Sequence, residues 1–394
     1  MKKSLLNGFI DLSRSIYGDD FIPLHRPVFE GNERQYLIDC IDSNFVSSVG
    51  AKVTEFEQKI ADFTGSKYAV ATVNGTSALH VSLNLAGVKQ DDEVITQSLT
   101  FIATCNAISY TGAKPIFIDV DKDSMGMSAN ALKLFLENHT KKINNQVINN
   151  KTGKVIKACV PMHTFGFPCR VDEIAEICNA WGITLIEDIA ESLGSYVNNT
   201  HTGKFGSMAT LSFNGNKLIT TGGGGMLITD DYDLAKQAKH ITTTSKVPHP
   251  YEFVHDQIGY NYRMPNLNAA LGCAQMERLD EFLSEKAKVS EKWEIFFKEQ
   301  GVEFVRSKKP NRENNWLNAI ILDSKSDRDS FLKFTNKNGV MTRPIWTLMS
   351  KLEMFKNCQT DDLTNSLWLE ERVVNIPSSV PDRSLAPFNN QGET

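Results

Sequence analysis

Between residues 67 and 230, short β-rich apolar runs alternate with longer stretches of helical spacing. The runs Tyr68–Val73, Glu93–Thr96, Pro115–Val120, Ile156–Met162, Thr184–Glu187, Met208–Phe213 and Gly225–Thr229 read as strands. Several are apolar along nearly their whole length, the pattern of strands covered by helices on both faces. Between them, Ser77–Ala86, Phe101–Thr111, Asn130–Glu137 and Val171–Trp181 carry the i, i+3, i+4 spacing of helices. Such alternation predicts an α/β domain with a mainly parallel, seven-stranded sheet.

Beyond residue 250 the pattern changes. Asn266–Lys298 reads as one long helical region, opened by Pro265 with Asn266 in position to cap it. Leu317–Leu322 and Val340–Arg343 read as strands of a smaller α/β domain, with a helix over Asp327–Asn336 between them. Residues 1–21 form an arm with the pattern of a short amphipathic helix, suited to packing on a partner subunit. The expected organisation is this arm, a large domain over 22–265, a small domain over 266–380 and a disordered tail over 381–394, which is polar and rich in Pro, Asn, Gly and Ser.

Composition narrows the function classes. With 41% hydrophobic and 23% charged residues in a chain of 394, a sizeable core is available. The net charge of −5 comes without a block of like charges, so no platform for nucleic acid or a membrane surface is present. After Met1-Lys2-Lys3 the chain is interrupted by Asn7, Asp11, Ser13 and Arg14, which leaves no apolar core for a secretory signal. No run of apolar residues is long enough to span a bilayer. The seven cysteines are odd in number and scattered, and neither Cys-x-x-Cys nor His-Glu-x-x-His occurs. A reduced, cytoplasmic protein without a metal site is the expectation.

Three local signals carry chemistry. Asn74-Gly75-Thr76-Ser77-Ala78 lies where a strand ends and a helix begins. Glycine allows the turn, and Thr76 and Ser77 add hydroxyls to the free N–H groups of a helix start, which together suit a phosphate. A plain helix cap would read the same way. Glu187-Asp188 ends an apolar strand, where α/β proteins bind ligands, and a carboxylate there can hold a pyridine nitrogen protonated. Metal binding or capping would also use such an acid. Ser212-Phe213-Asn214-Gly215-Asn216-Lys217 precedes Thr220-Thr221-Gly222-Gly223-Gly224-Gly225. A lysine amine condenses with aldehydes and moves protons, and the glycines let backbone pass close to a cofactor or another chain. An isolated lysine before a glycine turn is more often a surface residue. A dinucleotide-binding glycine loop is a weak rival, because it should open a helix and this run enters a strand.

In order along the chain, these signals resemble the fold-type I pyridoxal-phosphate (PLP) enzymes, and within them the DegT/DnrJ/EryC1/StrS sugar aminotransferases. The resemblance covers residues 22–380 and rests on Asn74–Ala78, Glu187–Gly194, Ser212–Lys217 and Gly259-Tyr260-Asn261-Tyr262-Arg263-Met264. It implies that Gly75, Thr76, Ser77 and Ser212 bind the cofactor phosphate and that Phe101 stacks on its ring. It further implies that Asp188 pairs with the ring nitrogen and Lys217 is the Schiff-base lysine. Glu191 stands where many relatives carry Gln or His near the phenolic oxygen. Asn261 is implied to reach the phosphate in the other subunit's site, hence a homodimer with shared active sites.

Related sugar dehydrases carry histidine at the position of Lys217, so the resemblance implies amino transfer, with L-glutamate as donor. Val46-Ser47-Ser48-Val49-Gly50, Ser212–Met226 and Thr342-Arg343-Pro344-Ile345-Trp346 are similar to the enzymes of the bacillosamine and legionaminic acid pathways that act at C4 of a UDP-linked 4-keto-6-deoxy-N-acetylhexosamine. That likeness adds Asn214, Arg343, Trp346 and His163 as candidate substrate contacts. A GDP- or dTDP-linked sugar, C3 amination, or a non-catalytic regulator on the same fold are the alternatives.

Overall fold

A computed structural model describes residues 3–381, so all but the first residue of the expected tail lies outside it. All seven expected strands form within one sheet: β1 (Tyr68–Thr72), β2 (Glu93–Gln97), β3 (Lys114–Ile118), β6 (Val155–Val160), β7 (Thr184–Asp188), β10 (Met208–Ser212) and β11 (Gly225–Thr229). Their order is β1-β11-β10-β7-β6-β2-β3. β11 runs antiparallel to both neighbours, and the pairs from β10 through β3 are parallel. Strands such as β11, buried at all five positions and apolar over Met226–Ile228, are the near-continuous apolar runs that two helical layers require. The expected α/β fold with a mainly parallel sheet is thereby in place.

The structure adds a hairpin that extends this sheet to nine strands. β4 (Thr140–Ile143) and β5 (Gln146–Asn149) are antiparallel, and β5 pairs with the start of β6. Asn144 and Asn145 turn the hairpin with φ of 48° and 60°, the left-handed pair that a tight hairpin needs and asparagine tolerates. A two-stranded ribbon, β8 (Tyr196–Val197) with β9 (Thr200–His201), lies apart. The second sheet is antiparallel throughout, in the order β12 (Glu303–Phe304), β13 (Asn318–Ile321), β15 (Val373–Ile376), β14 (Arg343–Pro344). The strand expected at Val340–Arg343 is displaced: Val340 makes one bridge to Ile22, and β14 begins at Arg343.

The helices that matter for the site are α4 (Gly75–Leu85) after β1 and α5 (Ile102–Tyr110) after β2. They follow α1 (Lys3–Tyr17), α2 (Glu33–Asp42) and α3 (Ala51–Thr64). Next come α6 (Ala129–His139), α7 (Val171–Trp181) and α8 (Tyr232–Thr242). The single helical region expected from Asn266 is two helices, α9 (Asn266–Met276) and α10 (Leu279–Gln300). The break falls at Glu277-Arg278, where Arg278 turns to Glu281 and Glu30, and the Gln275 amide reaches Val28 O and Glu33. Pro265, not Asn266, is the residue before the helix; the Asn266 side chain instead joins Lys52 N–H to Phe45 O. Helices α11 (Lys325–Lys337) and α12 (Thr364–Glu370) complete the set.

Helix α1 buries its apolar face on its own chain rather than on a partner. Phe9 stacks on Trp293 at 5.1 Å and meets Phe331 at 4.9 Å, with Leu5, Ile10 and Ile16 in the same cluster as Ile320 and Ile376 of the small sheet.

Helix α10 also carries Lys286, which is 1% exposed and donates to the carbonyls of Trp316 and Ser378. Burial pushes this amine down to about 7. Between pH 7 and the ordinary lysine range the unfolded chain binds this proton and the folded chain does not, so this group makes stability rise with pH across that window. Lys286→Met is therefore expected to raise the melting temperature more at pH 6 than at pH 9. Equal shifts at both pH values would remove Lys286 as the cause.

Candidate active site

Because β1, β7 and β10 share one direction, their carboxyl ends meet at one edge of the sheet, the edge where such folds bind ligands. Asn74, extended at φ −164° and ψ 168°, caps α4 by accepting the Ser77 N–H at 2.8 Å. The N–H groups before it have no partner within the helix and sit at its positive end. Gly75 is pressed on β10: a Cβ there would lie 2.9 Å from Ser212 Cβ. Gly225 supports the turn from below, since a Cβ on it would lie 2.4 Å from Asn74 C and O. The register Thr72↔Gly225↔Ser212 causes that approach, and only a residue without a side chain permits it.

Asp188 ends β7 at 3% exposure. Its carboxylate accepts the Thr104 hydroxyl at 2.7 Å and the Ala190 N–H at 3.2 Å. Burial raises its pKa above the ordinary carboxylate value, with these donors pulling the other way. Lys217 follows β10 in a turn closed by its own N–H on Asn214 O. Its Nζ lies 3.1 Å from Glu191 Oε1 and 4.2 Å from the centre of the Trp316 ring. The indole of Trp316 in turn donates to Asn216 O at 2.8 Å, which fixes the ring beside the amine. Glu191 is buried, and burial raises its pKa also.

These groups line one cavity of about 440 Å³. Of the residues singled out in the sequence, Gly75, Thr76, Phe101, Asp188, Glu191, Ser212, Asn214, Lys217, Arg343 and Trp346 all line it. Three are placed elsewhere. Ser77 is buried behind the turn, with its N–H taken by Asn74. Asn261 lies on an exposed stretch, bridged to Thr243, with its side-chain oxygen on Arg263. His163 does not reach the cavity: it is fully buried, with Nε2 3.3 Å from Glu187 and Nδ1 accepting the Cys169 N–H. The Glu187 carboxylate also takes the N–H groups of Gly203, Phe205 and Gly206, so this pair is a structural staple. Thr104, Phe165, Trp316 and Asn375 are additions from the structure, since each comes from a segment with no motif of its own.

Comparison with known proteins agrees with this geometry. The pattern of the DegT/DnrJ/EryC1/StrS aminotransferase family matches residues 27–382. The chain belongs to that family. Among DegT/DnrJ/EryC1/StrS relatives, the GDP-perosamine synthase of Escherichia coli O157:H7 is 35% identical over 91% of this chain and 93% of its own. A putative pyridoxal phosphate-dependent aminotransferase, EpsN of Bacillus subtilis, is 34% identical over 85% of this chain and 84% of its own. In fold, the aminotransferase TlmJ of Streptoalloteichus hindustanus superposes with a TM-score of 0.82 at 24% identity, covering 90% of this chain and 93% of that one.

This member is a PLP-dependent aminotransferase, and its residues fit that cofactor. The open helix start at Gly75-Thr76 suits the phosphate, the buried Asp188 carboxylate suits a ring N–H, and Lys217 offers the amine. No helix among the described residues is long and apolar enough to cross a membrane. Gly225→Ala is expected to cost about 1–3 kcal/mol of stability through the clash with Asn74, visible as a lower melting temperature and weaker PLP retention. An unchanged melt would show that the turn can yield.

Proposed function

We propose that the enzyme moves an amino group from L-glutamate to C4 of a nucleotide-linked 4-keto-6-deoxy sugar, with the UDP-linked N-acetylglucosamine derivative as acceptor. The observation that carries amino transfer is the Lys217 amine, held 3.1 Å from Glu191 in the cavity that also presents Asp188 and the Gly75-Thr76 turn. When bound, PLP supplies an aldehyde for amine condensation and a ring that takes up electrons. Lys217 then takes and returns the proton at the carbon that bears the amino group, and Glu191 balances the charge of its amine. Asp188 keeps the ring nitrogen protonated, and Phe101 covers the ring. Gly75, Thr76 and Ser212 would hold the phosphate, and Ser77 supports their turn through its N–H on Asn74.

Arg343, Trp346 and Asn214 line the same cavity and would contact the sugar nucleotide. Arg343 lies at the exposed end of β14 and suits a diphosphate by bidentate hydrogen bonds. Arg343→Ala is expected to raise KM for the sugar nucleotide about 10-fold or more, the cost of a charged hydrogen bond, with little effect on conversion of the cofactor by L-glutamate. A KM within twofold of wild type (about the scatter of such contacts) would remove Arg343 from the site.

A homodimer with shared sites belongs to the same proposal, with Asn261 reaching the partner's phosphate turn. Tyr251, Phe253 and Ile258, 80–86% exposed on the adjoining stretch, support a covered face there.

The name of the Escherichia coli relative favours a second reading, in which the acceptor is GDP-linked. Comparison of kcat/KM for UDP-linked and GDP-linked 4-keto-6-deoxy sugars decides between them. Preference for the GDP- or a dTDP-linked sugar overturns the UDP assignment and leaves amino transfer standing.

A further inference from the structure

Glu191 has two carboxylate oxygens, and only one of them faces Lys217. Its Oε2 accepts the backbone N–H of Phe165 at 2.8 Å. Phe165 is held at φ 57° and ψ 13°, a left-handed conformation that a bulky residue seldom adopts. Such a conformation is costly and persists only where the surroundings over-determine it. Here they do. The Ser195 hydroxyl donates to Gly166 O at 2.7 Å, and the Asn314 side chain fills the space a Cβ on Gly166 would need. The Asn314 amide also donates to Glu191 O at 2.8 Å, so the same residues brace both segments. The left-handed turn aims the Phe165 ring at Trp346, with centroids 4.7 Å apart, and both rings line the cavity.

We propose that Glu191 is a positioning residue for the sugar as well as a partner of Lys217: its second oxygen sets the Phe165–Trp346 wall against which the sugar nucleotide docks. This rests on the proposed amination of a sugar nucleotide. One buried carboxylate thereby links the reacting amine to the shape of the acceptor pocket, and removing it loosens that wall.

Two substitutions separate the roles. Glu191→Gln keeps a carbonyl oxygen for Phe165 N–H and loses the charge; Glu191→Ala loses both. The probes are the UDP- and GDP-linked 4-amino-6-deoxy sugar products, titrated into holoenzyme, with amide exchange of residues 163–167 followed in parallel. We expect the Gln variant to hold the product within about 3-fold of wild type. The Ala variant should bind it about 10-fold more weakly and exchange faster at Phe165, as a buried donor left without its acceptor demands. Equal affinities for wild type and both variants, or equal losses in the two variants, overturn the inference while leaving the proposed function intact. A wild type that binds neither product overturns both. If the Ala variant does not fold, Phe165→Gly takes its place, since glycine keeps the left-handed turn and deletes the ring. It should weaken product binding about 10-fold, in line with the loss of a buried aromatic contact, with borohydride fixation of PLP on Lys217 unchanged, and unchanged binding overturns the inference.

Discussion

Lys217→Ala is expected to lower turnover by about 10²–10⁴-fold or more, since it removes the amine that both condenses with the cofactor and moves the proton. Lysine and arginine supply the cavity lining with two cations, Lys217 and Arg343, and Arg343 stands on the small sheet. No neighbouring amine in the lining can substitute. The fold should survive. Glu191 loses its ion pair, but burial already raises its pKa, so it can take up a proton rather than remain as an uncompensated buried charge. Phe165 N–H keeps its acceptor in either protonation state. The check is borohydride reduction followed by peptide mass analysis: the peptide with Lys217 should gain the reduced cofactor in wild type, and no peptide should in the variant. A variant that still turns over at wild-type rate, or fixes the cofactor elsewhere, removes Lys217 from its role.

How much of this was legible beforehand depends on where each residue sits relative to the strands. Asn74–Ser77, Asp188, Ser212 and Lys217 lie directly after apolar runs that read plainly as strands. Parallel pairing of β7 with β10, and two antiparallel steps through β11 to β1, then bring those ends together. Thr104 lies three residues into a helix that its spacing predicts, but nothing in that spacing marks Thr104 as a site residue, and its tie to Asp188 exists only once β2 and β7 are in one sheet. Trp316 and Asn375 reach the cavity through the packing of the second sheet on the first, which no local pattern encodes. The β4–β5 hairpin was within reach, since Asn144-Asn145 between Ile143 and Val147 is a turn signal. His163 shows the opposite error. Its place after a strand suggested a site residue, but Glu187, on the next strand and equally buried, claims it for the interior.

Asp188→Asn should cost about 10²–10³-fold in kcat, comparable with losing one preorganised electrostatic partner, while leaving the protein folded. Asparagine matches the carboxylate in size and keeps an oxygen for the Thr104 hydroxyl. What is lost is charge, in a place where charge is costly to keep, together with the acceptor for the Ala190 N–H. Burial already raises the Asp188 pKa, and Thr104 and Ala190 offset that only in part, so the apoprotein carboxylate is short of positive partners. A protonated ring nitrogen supplies one. The sign of the pH dependence follows. Below its raised pKa, Asp188 is neutral and cannot hold a ring N–H, so PLP affinity should fall as pH drops through a midpoint above the ordinary carboxylate range. The Asn variant should lack that step and bind PLP with a flatter acid limb. Lys217, His163 and Glu191 are charged or titratable groups coupled to Asp188, so the same titration in Lys217→Ala separates the share of the amine. An acid limb that survives unchanged in Asp188→Asn would assign it to another group and leave Asp188 as a structural cap of β7.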